Sequence, residues 1–260
     1  MLNLIPDAGR VPYFIFAPAW THKSSGVRAL HMLCHALNER GQKAYLFPSA
    51  AAVRHPFLNT PFAMDVMNDF EAFKDSGIAH IVVYPDIVKG NPLGAKKVVR
   101  WLLAPAGAYG GDIMFLPSDK VYGYTKDIAE PVLCLPTFDY KVFYPPYSHS
   151  PRNGAVFYSH KYDKIFGNKL LPLTENAARL EGLPKDIANM LRAAEVCYLY
   201  ERSEIFVLAS MCGCRVETIK TDFWDGVMPE ELQPENLPGI GERFEVQLSE
   251  FIQDTQRWTR

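Results

Sequence analysis

The chain has 260 residues, 48% hydrophobic and 22% charged, with 27 Lys and Arg against 29 Asp and Glu for a formal net charge of -2. This composition provides for one large domain or two small ones and excludes wholesale disorder; scattered as they are, 17 Gly and 20 Pro exclude a collagen-like or low-complexity chain. Near-neutral charge gives no general attraction for nucleic acid, and no apolar run approaches the ~20 residues of a membrane helix.

Met1 to Arg10 lacks the charged-then-apolar build of a signal peptide, so a cytoplasmic protein is expected. The five cysteines (Cys34, Cys134, Cys197, Cys212, Cys214) are odd in number and mostly inside apolar segments, which points to free buried thiols in a reducing compartment.

Tyr13 to Ala17 is an apolar run of strand length, and Val27, Leu30, Leu33, Cys34 and Leu37 recur at helical spacing before Gly41. Lys43 to Phe47 reads as the next strand, completing a β-α-β unit with a right-handed crossover. Asp65 to Asp75 reads as a short helix and Ile78 to Tyr84 as a buried parallel strand. Asn91-Pro92 has the form of a helix start, and a helix carrying Leu93, Val98, Trp101 and Leu102 is predicted to end before Pro105. Short strands follow at Ile113 to Leu116 and Val132 to Leu135. Pro136 to Asn153, with four prolines and little periodicity, reads as a domain linker.

Alternation then restarts. Strands are expected at Ala155 to Ser159, Leu170 to Leu173, Val196 to Tyr200 and Val216 to Thr221, and helices at Pro184 to Ala194 and Ser203 to Met211. A proline-rich stretch from Pro229 to Pro238 leads to a last helix at Glu242 to Trp258, expected to pack back on the first half. The fold class is α/β, with two Rossmann-like domains at 1–145 and 146–241, the second reduced, facing across a ligand cleft at the carboxyl ends of both sheets.

Missing motifs narrow the chemistry. There is no G-x-G-x-x-G after the first strand, no P-loop, no G-x-S-x-G elbow, no H-E-x-x-H and no paired C-x-x-C. Asp-x-Asp, which holds a divalent ion on a diphosphate in metal-dependent sugar transferases, is also absent, so no metal and no cofactor are expected.

Four segments could carry chemistry. In Tyr198 to Glu204, a strand runs into a helix start at Ser203, where free N–H groups suit a diphosphate and Glu201 could accept from sugar hydroxyls; an ordinary capped helix explains the same residues. In Arg152 to Lys161, a strand ends in Ser159-His160-Lys161, where Lys161 could neutralise a leaving diphosphate or be a plain surface lysine. His22 to Gly26 precedes the first helix, where Gly26 allows close approach of a ligand or serves a tight turn. Asp86 follows a buried strand and could act as a base or hydroxyl anchor, or belong to a plain helix-start loop. His31 and His35 share a helix face but have no third metal ligand in view, and Cys212-Gly213-Cys214 reads as packing.

With these residues in order, the chain resembles the GT-B class of nucleotide-sugar glycosyltransferases. The resemblance lies in Ser24-Ser25-Gly26 with its helix, Tyr84 to Trp101, Arg152 to Lys161 and Tyr200 to Cys214. The last two are similar to bacterial and phage transferases related to the glycogen-synthase-like branch. The resemblance implies that Lys161, Arg202 and the helix beginning at Ser203 hold a donor diphosphate, together with Ser159, Tyr200, Glu201, Glu204 and Gly26. It places Glu201 at the first acid of the E-x7-E pattern, with Ala209 standing where the second acid belongs. A metal-independent transfer from a nucleotide sugar to a glycan or other hydroxyl acceptor follows, with the acceptor near His22, Gly26 and Asp86 and, if the reaction inverts configuration, Asp86 as base. The alternatives are a non-catalytic nucleotide- or glycan-binding protein and a transferase acting on modified bases in DNA. For the latter, Arg28, Lys89, Lys96, Lys97 and Arg100 would form a phosphate-tracking strip.

Overall fold

Tyr13, Ile15 and Ala17 belong to one hydrophobic core and Phe14 to another, as period-two alternation in a strand covered on both faces requires. The computed structural model describes residues 10–48, 53–66, 77–105, 115–146, 151–167 and 169–258. Within it the chain divides into two compact units, 1–137 with 239–260, and 138–238.

The first unit holds β1 (Tyr13–Ala17), α1 (Ser25–Glu39), β2 (Ala44–Pro48), α2 (Ala63–Val66), β3 (Ile81–Pro85), β4 (Val98–Leu102) and β5 (Lys120–Gly123). The strands form one all-parallel sheet in the order β2-β1-β3-β4-β5. Helix α1 starts where the Ser24 hydroxyl accepts from the Val27 amide at 3.3 Å, and it stops before Gly41, which sits at φ 67° where a side chain would be strained. Leu30, Leu33 and Leu37 of α1 pack on one face of the sheet.

The second unit holds β6 (Ala155–Tyr158), α3 (Lys161–Phe166), β7 (Ala178–Arg179), α4 (Pro184–Ala193), β8 (Val196–Leu199), α5 (Ile205–Met211) and β9 (Arg215–Thr218). Its four parallel strands run in the order β7-β6-β8-β9. Helix α6 (Ile240–Arg257) returns to the first unit, where Phe244, Leu248 and Phe251 join the core that α1 covers. Side chains along α6 fasten it there: Gln247 accepts from the Cys134 amide, Asp254 from Lys120 and Tyr122, Thr255 shares a hydrogen bond with the Tyr13 hydroxyl, and Gln256 bonds both backbone groups of Val11.

Several expectations are corrected. The segment from Asn91 is not a helix but a closed loop followed by β4. The Asn91 side chain accepts from the Ala95 amide at 3.1 Å and donates to its carbonyl at 2.8 Å, competing with helical bonding, and Gly94 has φ 61°. The β-branched pair Val98-Val99 then favours a strand. Strand β5 lies where none was expected, while Val132 to Leu135 contributes only a bridge from Val132 to Gly123. Leu170 to Leu173 leads into a 3-10 turn at Pro172–Thr174, because the proline at its first position sets a turn.

The expected linker is not free either: Phe138 and Phe143 are buried, and Arg192 of α4 bonds the Val142 carbonyl and lies over the Tyr144 ring. Helix α2 covers Ala63–Val66, and the remainder of the predicted Asp65 to Asp75 helix lies outside the described residues. So do Ile113 and Met114, while Phe115 and Leu116 are not in a strand. All five cysteines are buried and free, and burial raises the thiol of Cys214 to about 11. No helix among the described residues is long and apolar enough to cross a membrane.

Candidate functional site

Where strand order reverses in a parallel sheet, neighbouring loops leave the carboxyl ends in opposite directions and open a crevice. In the first sheet this occurs between β1 and β3, and in the second between β6 and β8. The residues selected from sequence fall on these loops or on the first turns of the helices that follow them: His22, Gly26 and Asp86 at the first reversal, and Ser159, Lys161, Tyr200, Glu201, Arg202, Ser203 and Glu204 at the second.

At the first reversal, Asp86 is only 7% exposed, and its Oδ2 accepts from the Ala104 amide at 2.9 Å, joining the ends of β3 and β4. The loop carrying Asp86 is braced from behind. The Tyr84 hydroxyl donates to Asn91 and accepts from the Leu93 amide, both at 2.9 Å, and burial pushes its pKa up to about 12. Fully buried Arg100 pairs with Asp119 at 3.0 Å and donates to the carbonyls of Val88 and Gly90. Gly26 lies in the first turn of α1 and not in a left-handed turn; a Cβ there would meet Leu103 at 3.6 Å, an ordinary contact. The tight-turn reading of Gly26 therefore falls.

Two imidazoles at this edge have a buried ring nitrogen with no hydrogen-bond partner among the described residues: Nε2 of His22 and Nδ1 of His31. His31 uses Nε2 on the carbonyl of Pro18 at 2.9 Å, and burial lowers its pKa, so it stays neutral. With the proton assigned to Nε2, its Nδ1 is an acceptor lone pair. His35 Nδ1 accepts from the Asn59 amide at 3.1 Å. Among the described residues no group of three or more His, Cys, Asp and Glu is arranged to hold a metal ion.

The second reversal divides the sequence-selected residues into two kinds. Ser159, Tyr200 and Glu201 are buried and bonded inward. Ser159 donates to Asp163 at 2.7 Å, and the Tyr200 hydroxyl meets Thr174 and the Leu171 amide. Glu201 is turned toward the backbone. Its Oε2 accepts three successive amides, His160 at 3.0 Å, Lys161 at 2.5 Å and Tyr162 at 2.8 Å, and so fills the anion-binding start of α3 with a carboxylate of the chain itself.

Helix α5 begins at Ile205, later than Ser203, and has only seven residues. Ser203 occupies its first amides, taking Ile205 on its hydroxyl and Phe206 on its carbonyl. Two of the N–H groups at this helix start, those of Ile205 and Phe206, are thus partnered within the turn. Lys161, Arg202, Ser203 and Glu204 remain half-exposed at the edge.

The expected phosphate-tracking strip loses Arg100 to the interior, while its other members stay at least partly exposed. Arg100 is fully buried, Lys97 donates to the carbonyl of Trp258, and Arg28 donates to the carbonyl of His22; Lys89 and Lys96 are exposed. Sequence reasoning also passed over Asp163 and Arg179, which join across the β6 loop: Arg179 bonds both Asp163 and the Ser159 carbonyl. The Ser-x-x-x-Asp spacing from 159 to 163 was the available signal, but a partner on β7 could not be read locally.

No protein-family model and no curated protein matches the chain. Among solved structures, it is similar to the DNA-modifying enzyme β-glucosyltransferase, crystallised with and without its substrate uridine diphosphoglucose. That match has a TM-score of 0.43 and 10% identity, covering 95% of this chain and 97% of the other. Likeness this weak leaves the sheet topology to stand by itself.

Proposed function

We propose that the chain is a glycosyltransferase that moves a sugar from a nucleotide-diphosphate donor to an acceptor hydroxyl without a metal ion. The reading is supported above all by the coincidence of two independent sheet reversals with the polar segments that resemble GT-B transferases. The second unit takes the donor, with Lys161 and Arg202 supplying positive charge to the diphosphate and Ser203 and Glu204 supplying polar contacts. Ser159, Tyr200 and Glu201 are positioning residues, since their polar atoms already hold neighbouring backbone and side chains.

The first unit takes the acceptor beside His22, Gly26 and Asp86. In an inverting transfer the acceptor oxygen bonds the anomeric carbon as the carbon–diphosphate bond breaks, and the hydroxyl proton passes to the Asp86 carboxylate. Charge on the departing diphosphate is stabilised by Lys161 and Arg202 in place of a metal ion. A DNA acceptor is less favoured because Arg100, the central cation of the expected strip, is buried in an ion pair with Asp119.

A panel of UDP-, GDP- and dTDP-sugars, assayed for sugar release and for thermal stabilisation, tests the reading. Release is expected with one nucleotide class, and Lys161→Ala should reduce it more than ~10-fold, equivalent to ~1.4 kcal/mol of barrier. Undiminished release would remove Lys161 from the mechanism. Stabilisation without any release would establish a non-catalytic nucleotide binder, consistent with Ala209 at the second acid's place.

A further inference from the structure

We infer that the first unit carries an aromatic platform, Trp20, His55 and Phe57, that receives an uncharged carbohydrate chain as the acceptor. The inference rests on the glycosyltransferase reading and specifies its acceptor class. Trp20 lies on the loop between β1 and α1, at the reversal itself. Its ring meets His55 edge-on at 4.5 Å and an interplanar angle of 69°, and His55 meets Phe57 at 5.9 Å and 68°.

The rings are held in place by backbone bonds. The Trp20 amide donates to the Val53 carbonyl at 3.0 Å, and the Phe57 amide donates to His55 Nδ1 at 3.2 Å. Phe57 is nonetheless 86% exposed and Val53 53%, so this end of the ladder contributes little to the core. A prearranged ring set of this kind loses little freedom on meeting a ligand.

Trp20 is anchored on its other side by a buried imidazole. His31 is fully buried, its ring is 5.3 Å from Trp20, and its Nδ1 has no hydrogen-bond partner among the described residues. Aromatic rings set edge to face, with Phe57 open to solvent, match a pyranose, which offers C–H faces to stack on them and hydroxyl edges to hydrogen-bond.

Charge around the platform argues for a neutral ligand. Arg54 holds both oxygens of Asp65 at 2.6 Å and lies over the Phe62 ring. Burial lowers the pKa of both His31 and His55, which keeps them uncharged near neutrality. Lys23 is the one lysine or arginine of the loop from Pro18 to Ser24, too few to follow a polyanion.

The test uses the full chain without nucleotide. An array of neutral oligosaccharides (glucans, mannans, galactans, rhamnans and N-acetylglucosamine oligomers) selects a binder, whose affinity is then measured by calorimetry. Phe57→Ala is expected to weaken binding at least ~5-fold and Trp20→Ala more, while Tyr140→Ala, an exposed ring of the second unit, leaves it unchanged. The platform is overturned if no neutral oligosaccharide binds, if the two variants bind as tightly as the parent, or if the substitutions instead abolish binding of single-stranded DNA. Oligosaccharide binding without transfer from any nucleotide sugar would retire the transferase reading and keep the platform. Transfer to a non-sugar hydroxyl without oligosaccharide binding would do the reverse.

Discussion

The two sheet reversals are braced by the same device used in different degrees. At the first, one oxygen of Asp86 takes the Ala104 amide, and the surrounding loop is held by the buried Arg100–Asp119 pair and by Tyr84. At the second, one oxygen of Glu201 gathers three consecutive amides and is the brace itself. Acids in equivalent topological positions can therefore have different work: Glu201 is committed to the backbone, whereas Asp86 is the acid whose loop other residues hold.

Breaking these braces should have unequal consequences. Arg100→Ala strands the fully buried Asp119 and should cost about 4 kcal/mol, read as a lower urea midpoint for the first unit. Glu201→Ala leaves three amides without their acceptor and should cost about 3 kcal/mol in the second unit. If both losses fell on one cooperative transition, the comparison between the units would lose its thermodynamic footing. Asp86→Asn keeps an oxygen for Ala104, so a loss of only about 1 kcal/mol is expected, with transfer reduced at least ~100-fold. Equal activity would show that Asp86, like Glu201, only shapes its loop.

The smallest expected effect is one of pH. Burial lowers the pKa of His31, His55 and His80, so between those folded values and the ordinary value of about 6.5 the unfolded chain binds more protons than the folded one. Stability from these groups is thus complete above about 6.5 and declines as pH falls. A drop of about 3 °C in melting temperature between pH 7.5 and 5 is expected, with a shallower slope in His31→Gln. Asp254 acts lower: burial raises its pKa, but Lys120 and Tyr122 outweigh this and bring it below the usual aspartate value, outside the tested range.

Much of the skeleton was legible. Tyr13 to Ala17, the leucine spacing of α1, Pro184 to Ala193 and the apolar face of α6 each have a local pattern that burial on a sheet or helix demands. Where the reading failed, two local signals competed. Asn91-Pro92 has the form of a helix start, yet Asn91 closes a five-residue loop on itself and Val98-Val99 joins β3 instead. Strand β5 carries no strong run of its own, because it is defined by pairing with β4. At the site, the segments were recognisable but the direction of each polar atom was not.

Side-chain chemistry, periodicity and punctuation along the chain are local properties, and they alone determined the α/β class, most helices and the polar turns that close the strands. Which acids turn inward, and which cations are bonded within the fold, was decided by partners far away in sequence. Glu201 meets amides about forty residues earlier, and Lys97 meets Trp258 from the opposite end of the chain. A buried amide or guanidinium must be satisfied by whatever group the fold brings to it, so those assignments exist only once the sheets are formed.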